Sequence, residues 1–147
     1  MTPETLFSLG NTLALPGWVI LILAPRRWSA LNAIPLYVVP GLLAALYTGL
    51  VLTHFAEAGG GYGSIAEVRQ LFASDAVLTA GWLHYLAFDL FVGAVLAARM
   101  DAVGVGRVVQ AFILPTIFLF GPAGMFFALA TETAVRFSTK LPMPERI

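Results

Sequence analysis

Gly81-Trp82-Leu83-His84-Tyr85-Leu86-Ala87-Phe88-Asp89-Leu90-Phe91-Val92-Gly93 sets a histidine and an aspartate inside a run otherwise long and apolar enough to cross a bilayer. An ionised carboxylate at the membrane midplane costs roughly 2.5 to 3.5 kcal/mol, so a chain keeps one only where something compensates. Asp89 is therefore the first functional candidate. The run around it predicts a transmembrane helix over residues 76–98, and three similar runs predict further spans over 5–24, 30–53 and 108–131. All four are read as helices, because lipid admits only helices or closed barrels and strict apolar-polar alternation is absent.

The composition agrees. The chain of 147 residues is 59% hydrophobic and 11% charged, where soluble domains carry about 25% charged residues. The expected fold class is an all-α, integral membrane four-helix bundle forming a single domain over residues 1–147. The net charge is zero and the densest basic cluster is the pair Arg26-Arg27, so nucleic acid is excluded as a partner. Zero cysteines exclude disulfides and thiolate metal sites. The first run begins with Glu4 and lacks a basic flank, which separates it from a secretion signal. It ends at Pro25-Arg26-Arg27-Trp28, a proline stop followed by interfacial anchors.

Residues 54–75 form the longest connection. Its Gly59-Gly60-Gly61-Tyr62-Gly63 segment has neither the preceding strand nor the following Gly-Lys of a phosphate loop. Ser64 and Glu67 fit a capping box, and Ile65, Val68, Leu71 and Phe72 share a face, which predicts a short interfacial helix over 64–72 between spans two and three. The tail from Glu132, with Pro142 and Pro144, is expected to be irregular. Basic residues tie between the two sides when simply counted; weighting the short loops places both termini outside the cytoplasm.

Along span three, His84 stands about 12 Å and Asp89 about 20 Å from Ala76. Five residues apart, the two side chains point about 140° from each other. Trp82, Tyr85 and Asp89 share one face with Gly93, and His84 shares another with Phe88 and Phe91. Asn11 and Thr12 of span one and Thr116 of span four are the expected polar partners of Asp89. A carboxylic acid that only fixes helix register is the plain alternative. Each intramembrane proline frees the carbonyl four residues earlier, so Pro16 frees Thr12, Pro40 frees Leu36, Pro115 frees Ala111 and Pro122 frees Phe118, while Pro35 bends the start of span two. Spans one, two and four are thus interruptible around an unbroken span three, which suggests a pocket between helices. The aromatic side chains that could line it include Trp18, Trp82, Tyr85 and Phe88.

His54 and His84 lie too far apart in depth to share a haem iron, and Asp89 is the one deep carboxylate expected, so a dimetal site is excluded. No cofactor is expected.

The segment Gly81-Trp82-x-His84-Tyr85-x-x-Phe88-Asp89-Leu90-Phe91-Val92-Gly93 resembles the ABA4-like family. So do Phe7-Ser8-Leu9-Gly10-Asn11-Thr12, Trp18, Pro25-x-x-Trp28 and Gly121-Pro122-x-Gly124. The resemblance spans nearly the whole chain. It implies a small four-helix membrane protein associated, in plants, with converting violaxanthin to neoxanthin. Without a transit peptide this chain is expected in a bacterial inner membrane, cytoplasmic or photosynthetic. The implied reaction turns a 5,6-epoxide into an allenic alcohol and needs an acid, a base and no electron carrier. Asp89 is the expected acid and His84 the expected base or relay. Trp82, Tyr85, Phe88, Asn11, Thr12, Trp18, Thr116, Gly121 and Pro122 are the expected ligand contacts. The expected partners are the lipid bilayer and a carotenoid-like polyene, with a homo-oligomer or a larger pigment-protein complex as possible assemblies. A non-catalytic subunit that holds pigment is the alternative function.

Overall fold

The Thr2 hydroxyl accepts from the Thr5 amide at 3.3 Å, and Pro3 follows as the first helical residue, where its missing N–H costs nothing. Helix α1 then runs Pro3–Leu23, straight through Pro16. In the computed structural model, which describes residues 1–139, it is followed by α2, Ser29–His54. A π turn over Ile34–Val38 lets Pro35 and Pro40 be absorbed without a break. The predicted interfacial helix is α3, Ile65–Leu71; the Ser64 hydroxyl accepts from the Glu67 amide at 3.2 Å and the Glu67 carboxylate accepts from the Gly63 amide at 2.9 Å. Helix α4 is Asp75–Ala102, α5 Arg107–Phe120 and α6 Pro122–Thr139. The described residues are all-α, without a strand. Helices α1, α2 and α4 are long and apolar enough to cross a bilayer.

α4 is the axis of the packing. Leu83 and Leu90, seven residues apart and fully buried, enter notches on α1 left by Gly10 and Gly17, also seven apart. In return, the Trp18 ring of α1 fills the space above Gly93 of α4. Such close backbone approach through small residues is how helices associate where lipid is as apolar as leucine. Gly17→Leu would place a side chain on Leu90, and overpacking of this kind costs about 1 to 3 kcal/mol. The variant is expected to unfold at lower temperature in detergent, whereas Gly49→Leu, where nothing lies within 4 Å of the added carbon, is expected to match the parent. Equal unfolding of all three proteins would show that the notch is not a packing contact.

The fourth expected span does not cross. The backbone reverses at Gly121, whose φ of +33° favours glycine, and Pro122 cannot supply the amide that would continue α5. α6 folds back along α5: the Ile117 backbone occupies the place where a Gly124 side chain would be. Ten residues beyond the turn, Glu132 bonds Arg99, near the end of α4, at 2.9 Å. α5 and α6 are thus a helical hairpin that enters beside the α4 C-terminus, reaches the level of Asp89 and returns. At 14 residues and 1.5 Å per residue, α5 is about 21 Å long, short of a bilayer's apolar thickness of about 30 Å.

Three expectations are corrected by this turn. Residues 108–131 form no single span, so the four-helix bundle becomes three long helices and a hairpin. Thr2 and Thr139 lie at opposite ends of the bundle instead of the same end. Residues 132–139 are helical, with Glu132 buried between Arg99 and Arg136 near the end of α4; the remainder of the expected irregular tail lies outside the described residues.

Polar side chains clasp the end from which the hairpin enters. The Arg26 guanidinium donates to Asp101 at 2.8 Å and to the Leu21 carbonyl at 3.0 Å, and Arg107 donates to the Ile22 carbonyl at 2.7 Å. These are the carbonyls a helix C-terminus leaves unsatisfied, and cations are favoured there. Gln110 donates to Asp101 at 2.6 Å, joining α5 to the same carboxylate.

Candidate functional site

Asp89 stands midway along α4, about 20 Å from either end. Its two carboxyl oxygens press against the hairpin turn: a methyl group on Gly121 would stand 2.9 Å from Oδ1 and 3.0 Å from Oδ2. Only a residue without a side chain leaves room for the acid here, and only that residue readily takes the turn's backbone angles. One position therefore satisfies both the reversal of the chain and the seating of the carboxyl.

The next contact follows from proline chemistry. Pro122 has no amide hydrogen for the Phe118 carbonyl, and a carbonyl freed inside an apolar bundle costs free energy unless another donor reaches it. Tyr85, one turn before Asp89 on the same face of α4, donates its hydroxyl to Phe118 O. The Tyr85 hydroxyl also lies within interaction range of the Asp89 carboxyl. A phenol has one hydrogen, and here it is given to Phe118; the oxygen lone pairs remain free to accept.

Aromatic side chains extend the site along α1. The Tyr85 and Trp82 rings lie 5.2 Å apart, and Trp82 donates to Asn11 Oδ1 at 3.0 Å. The Trp18 ring packs against Phe118 at 5.3 Å. Two buried polar atoms around this turn have no partner among the described residues: Asp89 Oδ2 and the Trp18 indole nitrogen. Buried polar atoms are nearly always satisfied, so each such orphan asks for an explanation. One is an acceptor, or a donor when protonated; the other is a donor. Together they suit an oxygen-bearing ligand.

The structure thus brings Asn11, Trp18, Trp82, Tyr85, Asp89, Gly121 and Pro122 to one side of α4. It does not bring the rest of the expected set there. Thr12 donates to Ser8 O at 2.9 Å and Thr116 to Phe112 O at 2.9 Å, each spending its hydrogen on its own helix. Asn11 turns to Trp82 and to Phe7 O. None of these three is the expected partner of Asp89; Tyr85 holds that place. His84 lies on the opposite face of α4, stacked on Phe88 at 4.4 Å and tilted to Tyr47 at 5.5 Å. It borders a cavity of about 310 Å³ shared with Phe55, Tyr62 and Phe72, and Phe88 with Phe91 borders another of about 340 Å³.

Sequence reasoning missed the Tyr85–Phe118 bond, although its signal was present: the carbonyl freed by Pro122 needed a donor, and Tyr85 is the hydroxyl on the Asp89 face. It also missed the Asp101, Arg107 and Gln110 clasp. Among the described residues, no group of three or more His, Asp or Glu side chains is placed to hold a metal ion.

Compared with known proteins, the chain matches a family model described as ABA4-like, ABA DEFICIENT 4-like, over residues 5–127. That range holds every residue of the Asp89 site and ends five residues beyond Pro122. Neither a curated protein nor a solved structure matches.

Proposed function

The chain belongs to the ABA4-like family, and we propose that it is an integral membrane protein that binds an epoxy-carotenoid and isomerises the epoxide to an allenic alcohol. The observation that supports this reading best is the Asp89 carboxyl, seated on the Gly121 turn with one oxygen buried and unpartnered. An acid held at a fixed point within an apolar bundle suits an epoxide oxygen on the ring of a long polyene. The substrate lies along the aromatic face of α4, with its oxygenated end at the turn between Trp18 and Asp89.

The reaction balances without any co-reactant. The C6–O bond of the 5,6-epoxide breaks as its oxygen takes the Asp89 proton and becomes the C5 hydroxyl. The carbocation left at C6 loses the proton of C7, and C6=C7=C8 becomes the allene. One proton is given and one returned, so a single carboxyl suffices: one oxygen donates and the other accepts. This removes the need for His84 as base, which is on the opposite face of α4. Tyr85 acts by positioning, since its bond to Phe118 fixes the phenol that faces the acid. General acid catalysis of this kind contributes about 10²- to 10⁴-fold.

The test is incubation of the purified protein in detergent with a 5,6-epoxy-xanthophyll. The expected product has unchanged mass, a new chromatographic retention and the infrared band of an allene. Pigment that binds and is recovered unchanged would instead favour the second reading, a pigment-holding subunit. That reading has its own support in the apolar cavities beside Phe88, Phe91 and His84.

A further inference from the structure

The returning hairpin sorts the described charges by end. The end that holds the α1 C-terminus and both ends of the hairpin carries Arg26, Arg27, Arg99, Arg107 and Arg136, against Asp101 and Glu132. The other end carries Arg69, against Glu4, Glu57, Glu67 and Asp75. Had residues 108–131 crossed, Arg136 would stand with Arg69 and the two ends would be closer to balance. The asymmetry exists because Gly121 turns the chain back.

We propose that the arginine-bearing end is the cytoplasmic face, seated in an anionic lipid leaflet, and that the N-terminus and α3 lie across the membrane from it. The inference rests on the membrane insertion proposed above. Arginine and lysine close to span ends are retained on the cytoplasmic side, and anionic headgroups attract them there; acidic residues contribute little to the choice. The residues of this end are built for a headgroup layer. Arg27 is exposed, its guanidinium 5.8 Å from the centre of the exposed Trp28 ring, which gives a cation and an amphipathic ring at one level. Arg26 and Arg107 cap α1 from the same layer. Among the described residues the opposite end carries one arginine, Arg69; α3 presents exposed Ile65 beside Glu67, with exposed Phe72 following it, which suits the outer interface.

Orientation also bears on the site. The hairpin enters from the cytoplasmic side and carries its turn to Asp89, so the connection at 103–106 that joins α4 to α5 is cytoplasmic.

The chain has no cysteine, so single substitutions report position directly. Ala56→Cys, Gly106→Cys and Ser138→Cys, each expressed in the full chain in bacterial cells, are treated with a membrane-impermeant maleimide before and after permeabilisation. Ala56→Cys is expected to be modified in intact cells, and Gly106→Cys and Ser138→Cys only after permeabilisation. Modification of Gly106→Cys and Ser138→Cys from outside, with Ala56→Cys protected, would overturn the orientation. Outside modification of Ala56→Cys and Ser138→Cys together would show that the hairpin crosses, overturning the basis of the charge argument. Release of the chain from membranes by alkaline carbonate would mark failure of the membrane reading itself, separately from either.

Discussion

Asp89→Asn is expected to lower conversion of a 5,6-epoxy-xanthophyll by about 10² to 10⁴, the ordinary contribution of a general acid, while pigment binding and unfolding temperature stay near the parent's. The amide has the size of the carboxyl, so it still rests on Gly121. What it cannot do is release a proton to the epoxide and recover one from C7. His84→Gln gives the discriminating comparison. If one carboxyl serves as both acid and base, this variant converts within a few-fold of the parent, because His84 is stacked on Phe88 across the helix. If His84 were the base, this variant would fall as far as Asp89→Asn. Tyr85→Phe sits between them: it leaves the Phe118 carbonyl without its donor, and a buried group so orphaned costs about 1 to 3 kcal/mol. Its signature is a lowered unfolding temperature together with a partial loss of conversion. Wild-type turnover by Asp89→Asn would remove the acid from the scheme.

How far the fold could be read from the sequence depended on which force set each element. α1, α2 and α4 were legible to within a few residues, because a long apolar run in water-excluding surroundings has one backbone solution. α3 was legible from Ser64 and Glu67: the Ser64 hydroxyl accepts from the Glu67 amide inside the helix, and the Glu67 carboxylate accepts from the Gly63 amide just before it. The hairpin was not. Hydropathy summed over residues 108–131 is the same whether the chain crosses or turns back, since both paths remove the apolar side chains from water. The decision was taken by features that hydropathy does not weigh. Gly121 adopts a positive φ, Gly124 lets α6 approach α5, and Glu132 is drawn back toward Arg99. Glu132 was the available clue, because an acid near the end of an apolar run needs a cation, and Arg99 is not reached by a helix that leaves through the far side.

The site divides along the same line. That Trp82, Tyr85 and Asp89 share a face followed from helical spacing, and so did the separation of His84. That Pro122 frees the Phe118 carbonyl followed from the missing amide. The seating of Asp89 on Gly121 joins residues 32 positions apart through a turn whose direction was not legible, so the polar neighbours expected for Asp89 were sought among the nearest hydroxyls and amides. Thr12 and Thr116 satisfy themselves within their own helices, as hydroxyls in helices do when the carbonyl four residues back is in reach.

Gly121→Ala separates the backbone role of this glycine from its role at the acid, and Gly104→Ala supplies the reference. Both glycines have positive φ, +33° and +80°, where a side chain is strained, so both variants are expected to unfold at lower temperature. They differ in what the new methyl group meets. At Gly104 nothing lies within 4 Å, so conversion is expected to stay near the parent's. At Gly121 the methyl stands 2.9 Å from Asp89 Oδ1, closer than carbon and oxygen pack, and the carboxyl must shift to make room. Because the contact is relieved by a shift of tenths of an ångström, well short of the roughly 1 Å that can cost 10²-fold, Gly121→Ala is expected to lower conversion measurably but by less than Asp89→Asn. Gly121→Val, which adds two further carbons at the same place, should lose more of both stability and conversion. Full conversion by Gly121→Ala, with unfolding lowered as in Gly104→Ala, would mean that the turn shapes the fold alone and that the reacting acid is not the one resting on it.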